Sequence, residues 1–239
     1  MASTTTISYF WRGARDSAPF ILVAGPFGLL FGVLGAEAGL NLLEVMAFSV
    51  TIFAGAAQFT ALQLMQEQAP TIIVLVSALA VNLRVAMYSA SLTPFLGAAP
   101  LWQRALAAYF TVDQAYALSI IQYETVPTMT VPQRMAYFFG TNSLIAPLWY
   151  AMTFVGAIAG SQIPDSWALD FALPIAFVAM VGPMLRTPAH VVAAVVGCAT
   201  ALAAAGLPYN LGLIFAGLAG MIAGAQAELV LARRAGGVS

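Results

Sequence analysis

PTIIVLVSALAVNLRVAMYSASL, residues 70–92, decides the fold, because it is long and apolar enough to cross a membrane and yet carries Arg84 near its centre. A crossing helix needs about 20 apolar residues. The stretch LWQRALAAYFTVDQAYALSII, residues 101–121, holds Asp113 in the same way. A charge near the bilayer centre is costly and usually faces a polar cavity or a transport pathway. The two charges therefore predict a membrane protein that moves something polar through itself.

Composition sets the fold class. Of the 239 residues, 62% are hydrophobic and 7% are charged, against about 25% charged residues in soluble domains. We predict an all-α, polytopic membrane helix bundle of about eight transmembrane helices, with seven as the alternative. The predicted spans are approximately 19–38, 42–65, 70–97, 101–122, 133–160, 166–184, 188–205 and 209–231. This gives a cytoplasmic N-terminal segment (1–18), one transmembrane transporter domain (19–232) and a cytoplasmic C-terminal tail (233–239).

Arginine placement predicts the orientation. All eight basic residues are Arg, and with eight spans only Arg104 falls on the side opposite the termini. The positive-inside rule then places both termini in the cytoplasm. The first ten residues, MASTTTISYF, lack the pattern of a cleavable signal, so the first hydrophobic segment is interpreted as a retained span. Six Arg share the side of the termini in this topology: Arg12, Arg15, Arg134, Arg186, Arg233 and Arg234.

Glycine and proline lie inside several spans. Proline removes an intrahelical hydrogen bond, so kinked or broken helices are predicted, with freed backbone groups that face protein or water. A weak echo between the first and second four spans suggests parallel internal repeats. Glycines four residues apart, in the pairs at 28 and 32, 156 and 160, and 220 and 224, predict close helix packing. The candidate hinge or broken-helix positions are Gly25, Pro26, Gly55, Pro147, Pro174 and Pro183.

Polar residues inside the spans recur at helical spacing, which places them on common faces. The third span carries Ser77, Arg84, Tyr88 and Ser91 on one face, with Asn82 off that face. In the fourth span, one face holds Tyr109, Asp113 and Tyr116, with Gln114 beside it, and in the second span one face holds Thr51, Gly55 and Gln58.

The central charges have two interpretations. Arg84 and Asp113 could neutralise each other to permit folding, as buried charges generally must. Alternatively they bind a ligand, and Asp113, the acid nearest mid-membrane, is then the candidate for proton coupling. An enzyme is not expected, because no Ser-His or paired-aspartate arrangement lies at mid-membrane. The single Cys198 and the absence of a basic run favour neither a metal site, nor a cofactor, nor nucleic acid binding.

Four motifs together resemble the AzlC family of branched-chain amino acid permeases, in the family's order and from about Arg12 to Arg233. They are FAGAAQF (53–59), VNLR with MYSASL (81–84 and 87–92), TVDQ (111–114) and LDFALPIAF (169–177). The resemblance implies a multi-pass exporter in the bacterial inner membrane for valine, leucine, isoleucine and methionine. It also implies a separately encoded, small AzlD-like membrane subunit as partner and allows an oligomer of that complex.

Two positions depart from the family pattern, which often has Asp-Glu where this chain has Asp113-Gln114, and His where it has Val85. Both departures bear on proton coupling. An amino acid zwitterion needs a cation, an anion and an apolar pocket. We therefore hypothesise that Arg84 pairs with the carboxylate and Asp113 with the ammonium or the coupled proton. Orientation would be fixed by Gln58, Asn82, Tyr88 and Gln114. The alternative is a membrane scaffold that transports nothing and whose polar residues bind a partner helix.

Overall fold

A computed structural model describes residues 5–160, 185, 187–207 and 211–234, and these residues are predominantly helical. Three helical stretches are long and apolar enough to cross a membrane: Thr6–Glu37, Thr71–Leu96 and Val131–Gly160. The predicted helical membrane bundle is thus confirmed. The helices are α1 (Thr6–Ser17), α2 (Ile21–Glu37, after a 3₁₀ turn at Ala18–Phe20), α3 (Leu42–Thr51), α4 (Gly55–Gln66), α5 (Thr71–Leu96), α6 (Leu101–Tyr109), α7 (Asp113–Thr125), α8 (Val131–Ser143), α9 (Ile145–Gly160), α10 (Pro188–Ala203) and α11 (Leu211–Arg234).

The chain divides into two compact units. The first comprises Met1–Gln63 and Val81–Ala168, and the second comprises Leu64–Ala80 and Leu169–Ser239. In the second unit, α10 and α11 pack antiparallel: an added side chain at Gly220 would meet Ala193 and Gly197, and one at Gly224 would meet Ala193. The predicted close packing at this glycine pair is therefore confirmed.

The two long stretches Thr6–Glu37 and Val131–Gly160 run side by side in the same direction. A side chain added at Gly13 would strike the backbone of Tyr137, and one added at Gly32 would strike that of Thr153. Contacts advance together along both stretches, since Gly160 meets Val33 near the far ends. Absent side chains let helix backbones approach closely. The predicted packing role of the glycines at 28, 32, 156 and 160 is confirmed.

This pair of stretches defines two ends of the first unit. We call the end at Thr6 and Val131 the N-terminal end, and the end at Glu37 and Gly160 the far end. Because the two stretches are parallel, the chain between them must cross the membrane an odd number of times.

Helices α3 and α4 form a hairpin that starts at the far end. Val45 packs on Gly35 and Phe48 packs on Phe31, so α3 runs back along α2. Phe59 of α4 packs on the same Phe31 ring, with ring centroids 5.7 Å apart. Phe48 and Phe59 are nearly equidistant in sequence from the interruption at residues 52–54. Their common contact shows that the chain folds back there.

Helices α6 and α7 form a second hairpin that starts at the N-terminal end. Trp102 lines a groove together with Thr6 and Pro132, so α6 begins at this end. Tyr123, near the end of α7, donates a hydrogen bond to the Arg134 carbonyl at 2.8 Å, so α7 returns to the same end. The turn between the two helices lies at residues 110–112.

These hairpins differ from the expected single crossings at 42–65 and 101–122. Hydropathy measures length and apolarity, and each hairpin has enough of both to resemble a crossing helix. β-branched residues lie at both interruptions, Val50-Thr51-Ile52 at the first and Thr111-Val112 in the second, and they favour extended backbone. Arg104, expected on the side opposite the termini, lies in α6 at the N-terminal end.

The expected proline breaks are only partly present. Helix α2 is not broken at Gly25 or Pro26, and it continues to Glu37. Residue Leu144 separates α8 from α9, three residues before Pro147. Gly55 does follow an interruption, because it is the first residue of α4. Pro174 and Pro183 lie outside the described residues.

Glycine packing predicts the effect of adding a methyl group. Gly32→Ala should lower the melting temperature of the purified protein, because its Cβ would collide with backbone of α9, an overpacking cost of about 1–3 kcal/mol. Thermal unfolding in detergent measures it. Gly217→Ala is the matched control, since nothing lies within 4 Å of an added Cβ there. An equal response of both variants would contradict the packing role.

The second hairpin predicts the accessibility of its ends. In a Cys198→Ser background, Leu101→Cys and Thr125→Cys should react with a membrane-impermeant maleimide from one side of the membrane, the side that also labels Ser8→Cys. Leu43→Cys is the reference for the far end. Labelling of Leu101→Cys and Thr125→Cys from opposite sides would show that α6 and α7 form a crossing instead.

Candidate functional site

The candidate site is built around the two charges that the sequence singles out. Arg84 on α5 and Asp113 on α7 form an ion pair, with Nη2 and Oδ2 3.2 Å apart. The side chains are 32% and 43% exposed, so the pair is only partly enclosed. The Nε atom of Arg84 and the second carboxylate oxygen of Asp113 are buried without a hydrogen-bond partner in the described part of the chain. Both charged groups thus keep unused bonding capacity.

Aromatic and hydroxyl groups continue the contact between α5 and α7. The Tyr88 and Tyr116 rings stack with centroids 4.2 Å apart and planes inclined by 10°. Ser91 and Tyr116 share a hydrogen bond of 3.1 Å between their hydroxyls. Tyr88 lies one turn from Arg84 on α5, beside the Asp113 carboxylate. The predicted common face of Arg84, Tyr88 and Ser91 is therefore confirmed as the face that meets α7.

Asp113 owes its position to the turn of the second hairpin. Val112 is extended, with φ −126° and ψ 166°, and Asp113 is the first residue of α7. A negative charge at a helix N-terminus is favourable. About 11 residues of α5 separate Arg84 from Phe95, which contacts Arg134 at the N-terminal end. At 1.5 Å per residue this places the pair roughly 16 Å from that end, about half of a bilayer core.

The turn of the first hairpin is held by α9. Trp149 donates a hydrogen bond from its indole nitrogen to the Ser49 hydroxyl at 3.0 Å, and Ser49 lies 3.5 Å from the Thr153 hydroxyl. The same indole ring covers Gly55, where an added Cβ would be 3.0 Å from its edge. A side chain at position 55 would thus crowd this ring at the start of α4.

The two hairpin turns touch each other. The Tyr109 hydroxyl donates a hydrogen bond to the Val50 carbonyl and lies 2.8 Å from the Tyr150 hydroxyl. Phe53 packs on Tyr109 and on Phe110, with centroid distances of 6.0 and 5.6 Å. The first hairpin turn therefore supplies a backbone carbonyl at the end of α3. The second turn supplies the tyrosine hydroxyl that donates a hydrogen bond to it.

Gln58 is the most unusual polar residue near the turns. It is fully buried, and neither its amide nitrogen nor its amide oxygen has a hydrogen-bond partner among the described residues. An unpaired buried amide costs on the order of 1–3 kcal/mol. The other predicted orienting residues are half-buried: Asn82 lies two positions from Arg84 and so on a different face of α5, and Gln114 follows Asp113.

Some predicted groupings are divided by the fold. Tyr109, Asp113 and Tyr116 were expected on one helix face, but the turn at 110–112 separates Tyr109 from the other two. Tyr109 contacts Tyr150 and the first hairpin, whereas Asp113 and Tyr116 contact α5. Tyr150 is a further member of this contact that the sequence does not predict, because its neighbours in sequence give no polar pattern. A groove of about 460 Å³ beside Trp102 and Leu106 is apolar and is not lined by Arg84 or Asp113.

Comparison with known proteins gives one family match. The model of the family described as "AzlC protein" matches residues 19–163. An uncharacterized membrane protein of Archaeoglobus fulgidus is 31% identical over 92% of this chain and 96% of its own length. The inner membrane protein YgaZ of Escherichia coli K12 is 24% identical over 93% of this chain and 91% of its own length. An uncharacterized membrane protein of Helicobacter pylori is 27% identical over 64% of this chain. No solved structure matches the chain.

The ion pair predicts a non-additive effect on stability. Arg84→Leu and Asp113→Leu should each destabilise the protein by about 1–3 kcal/mol, because each leaves one charge without its partner. The double variant should be more stable than the sum of the two losses predicts, and thermal unfolding of all four proteins measures the coupling. Simple additivity would show that the two groups do not interact in solution.

Proposed function

The chain belongs to the AzlC family, and on that premise we propose that it is a transmembrane exporter of branched-chain amino acids. Its substrates are valine, leucine and isoleucine, with methionine as a further member of the class. The protein acts by transport and not by catalysis. It lies in the bacterial inner membrane and works with a small AzlD-like membrane subunit.

The observation that carries this proposal is the Arg84–Asp113 pair at about half the depth of the bundle. A branched-chain amino acid has a carboxylate, an ammonium group and an apolar side chain, so its site must offer both charges within apolar surroundings. The pair offers a guanidinium and a carboxylate 3.2 Å apart, and one polar atom on each is unpaired in the described residues. The stacked rings of Tyr88 and Tyr116 lie one turn further along the same two helices.

The substrate exchanges partners with the pair. The Asp113 carboxylate binds the substrate ammonium group. Arg84 is thereby released from Asp113 and binds the substrate carboxylate. Arginine suits this role because its planar guanidinium binds a carboxylate through two parallel hydrogen bonds. Tyr88 interacts with Asp113 and stacks on Tyr116, so it fixes the orientation of the acid. Gln58, Asn82 and Gln114 supply further polar contacts.

Asp113 is also the residue that carries a coupled proton. Of the other described acids in the first unit, Glu37, Glu44 and Glu124 lie near the ends of α2, α3 and α7, and Asp16 is paired with Arg12 and accepts a hydrogen bond from the Tyr137 hydroxyl. Glu44 forms a capping box with Asn41 at the start of α3, through hydrogen bonds of 2.8 and 3.0 Å. Proton coupling makes the exporter secondary active, with the proton gradient as its energy source.

Arginine distribution supports a cytoplasmic N-terminus. In the first unit, the arginines other than Arg84 lie towards the N-terminal end, on α1, α6 and α8. They are Arg12, Arg15, Arg104 and Arg134. Positive residues collect on the cytoplasmic side of inner-membrane proteins, so the N-terminal end faces the cytoplasm.

A scaffold that only binds a partner helix is the competing function. The partial exposure of the ion pair is compatible with it, since a neighbouring polypeptide could cover both side chains. The two functions differ in a simple respect: the exporter changes the distribution of an amino acid across the membrane, and the scaffold does not.

Transport in vesicles tests the proposal. Vesicles that contain the chain and its partner subunit should move labelled leucine, and Arg84→Ala or Asp113→Asn should reduce the initial rate at least tenfold by removing one substrate contact. A protonophore should abolish accumulation by the wild type. Arg104→Ala, an exposed residue on α6, is the control and should transport normally. Undiminished transport by both site variants would remove the site assignment, and no transport by the wild type would favour the scaffold.

A further inference from the structure

The helix starts in the described part of the chain differ in how they are capped. Four have a polar side chain at the capping position: Thr5 for α1, Asn41 for α3, Thr130 for α8 and Thr187 for α10. Such side chains accept hydrogen bonds from the first N–H groups of a helix, which have no partner within the helix. Helix α6 starts after Pro100 without a side-chain cap.

The two helices that start at the hairpin turns lack such caps. Val112 precedes α7 and gives no side-chain cap. The Ala54 carbonyl accepts the first hydrogen bond of α4, from the Gln58 N–H at 3.0 Å, so Ala54 holds the capping position without a polar side chain. The α7 start has Asp113 as its own negative charge. The first turn of α4 contains no acid, so its positive end is not neutralised from within the helix.

The start of α4 is surrounded by buried residues, so backbone N–H groups without a partner are energetically costly there. Phe53 is 8% exposed, Ala57 is 2% exposed, and Trp149 covers Gly55. The N–H groups of residues 55–57 cannot bond within the helix, and partial positive charge accumulates at such an end. Helix N-termini of this kind bind carboxylates and phosphates.

Gln58 gives the independent indication of a ligand. Its side chain is fully buried and both polar atoms are unpaired among the residues described. Helical side chains lean towards the N-terminus of their helix, so the Gln58 amide extends over the same turn. The amide nitrogen adds one more donor to those of the backbone.

We infer that the start of α4, with the Gln58 amide, is a carboxylate subsite that holds the main-chain end of the substrate while Arg84 is still paired with Asp113. This deepens the proposed function and rests on it. Phe53 contacts Phe110, three residues before Asp113, so the subsite and the ion pair lie on adjacent turns. The substrate carboxylate thus has a place to bind before the ion pair opens.

Two ligands that differ only in the carboxylate test the subsite. They are leucine and 3-methylbutylamine, which has the same apolar group and the same ammonium. Binding to the purified chain with its partner subunit is followed by thermal stabilisation over a range of ligand concentrations. The wild type should bind leucine more tightly than the amine. Gln58→Leu should weaken leucine binding at least tenfold and leave binding of the amine unchanged.

Two further variants keep the experiment decisive. Gln58→Glu has nearly the same shape and supplies a carboxylate of its own, so it should exclude leucine and retain the amine, even if Gln58→Leu fails to fold. Gln66→Leu makes the same change at an exposed position of α4 and should bind both ligands as the wild type does.

The outcomes separate the two hypotheses. Leucine binding that is equal in the wild type and both Gln58 variants would overturn the subsite and leave the proposed function standing, with the amide serving only buried water. An equal loss of both ligands would also overturn it, because the effect would not depend on the carboxylate. Failure of the wild type to bind any branched-chain amino acid would overturn the proposed function and the subsite together.

Discussion

Backbone hydrogen bonding at membrane depth is the constraint on which this architecture depends. Hydrocarbon offers no partners for peptide groups, so a chain that stops being helical inside a bilayer must satisfy them with protein or enclosed water. In the described part of the chain, helices α3 and α6 end inside the first unit, at residues 52–54 and 110–112. The two turns provide some of these hydrogen bonds for each other, because the Tyr109 hydroxyl at one turn donates a hydrogen bond to the Val50 carbonyl at the other. Polar backbone is thereby concentrated where the charged side chains also lie.

The long parallel stretches supply the rigid frame for these turns. Glycines allow backbone-to-backbone contact along Thr6–Glu37 and Val131–Gly160, and α9 then presents Trp149, Tyr150 and Thr153 towards the hairpins. Each hairpin enters from a different end, and neither could hold its turn at depth alone, since each helix in it is short. Contact with α9 and between the turns gives the site its fixed geometry.

The sequence predicted the chemistry of the site better than its topology. Arg84, Asp113 and Tyr88 could be identified because charge in an apolar segment is rare and helical spacing fixes a face. The glycine pairs were equally informative, because two glycines four residues apart in an apolar helix are typical of close helix packing. The hairpins were missed because a folded-back segment and a crossing segment have the same hydropathy. Proline was a poor guide to helix breaks. Pro26 lies in a continuous helix, whereas the turns at 52–54 and 110–112 contain no proline. Tyr150 could not be found, because its role comes entirely from distant neighbours.

The bond between Ser49 and Trp149 joins residues 100 positions apart. A ribosome extends the chain from its N-terminus, so the first hairpin is synthesised well before the helix that fixes its turn. Until α9 emerges, the peptide groups at residues 52–54 lack the surroundings that shelter them in the finished protein. The hairpin therefore reaches its final depth only after α9 is inserted, and its turn acquires its final geometry late in the assembly of this unit.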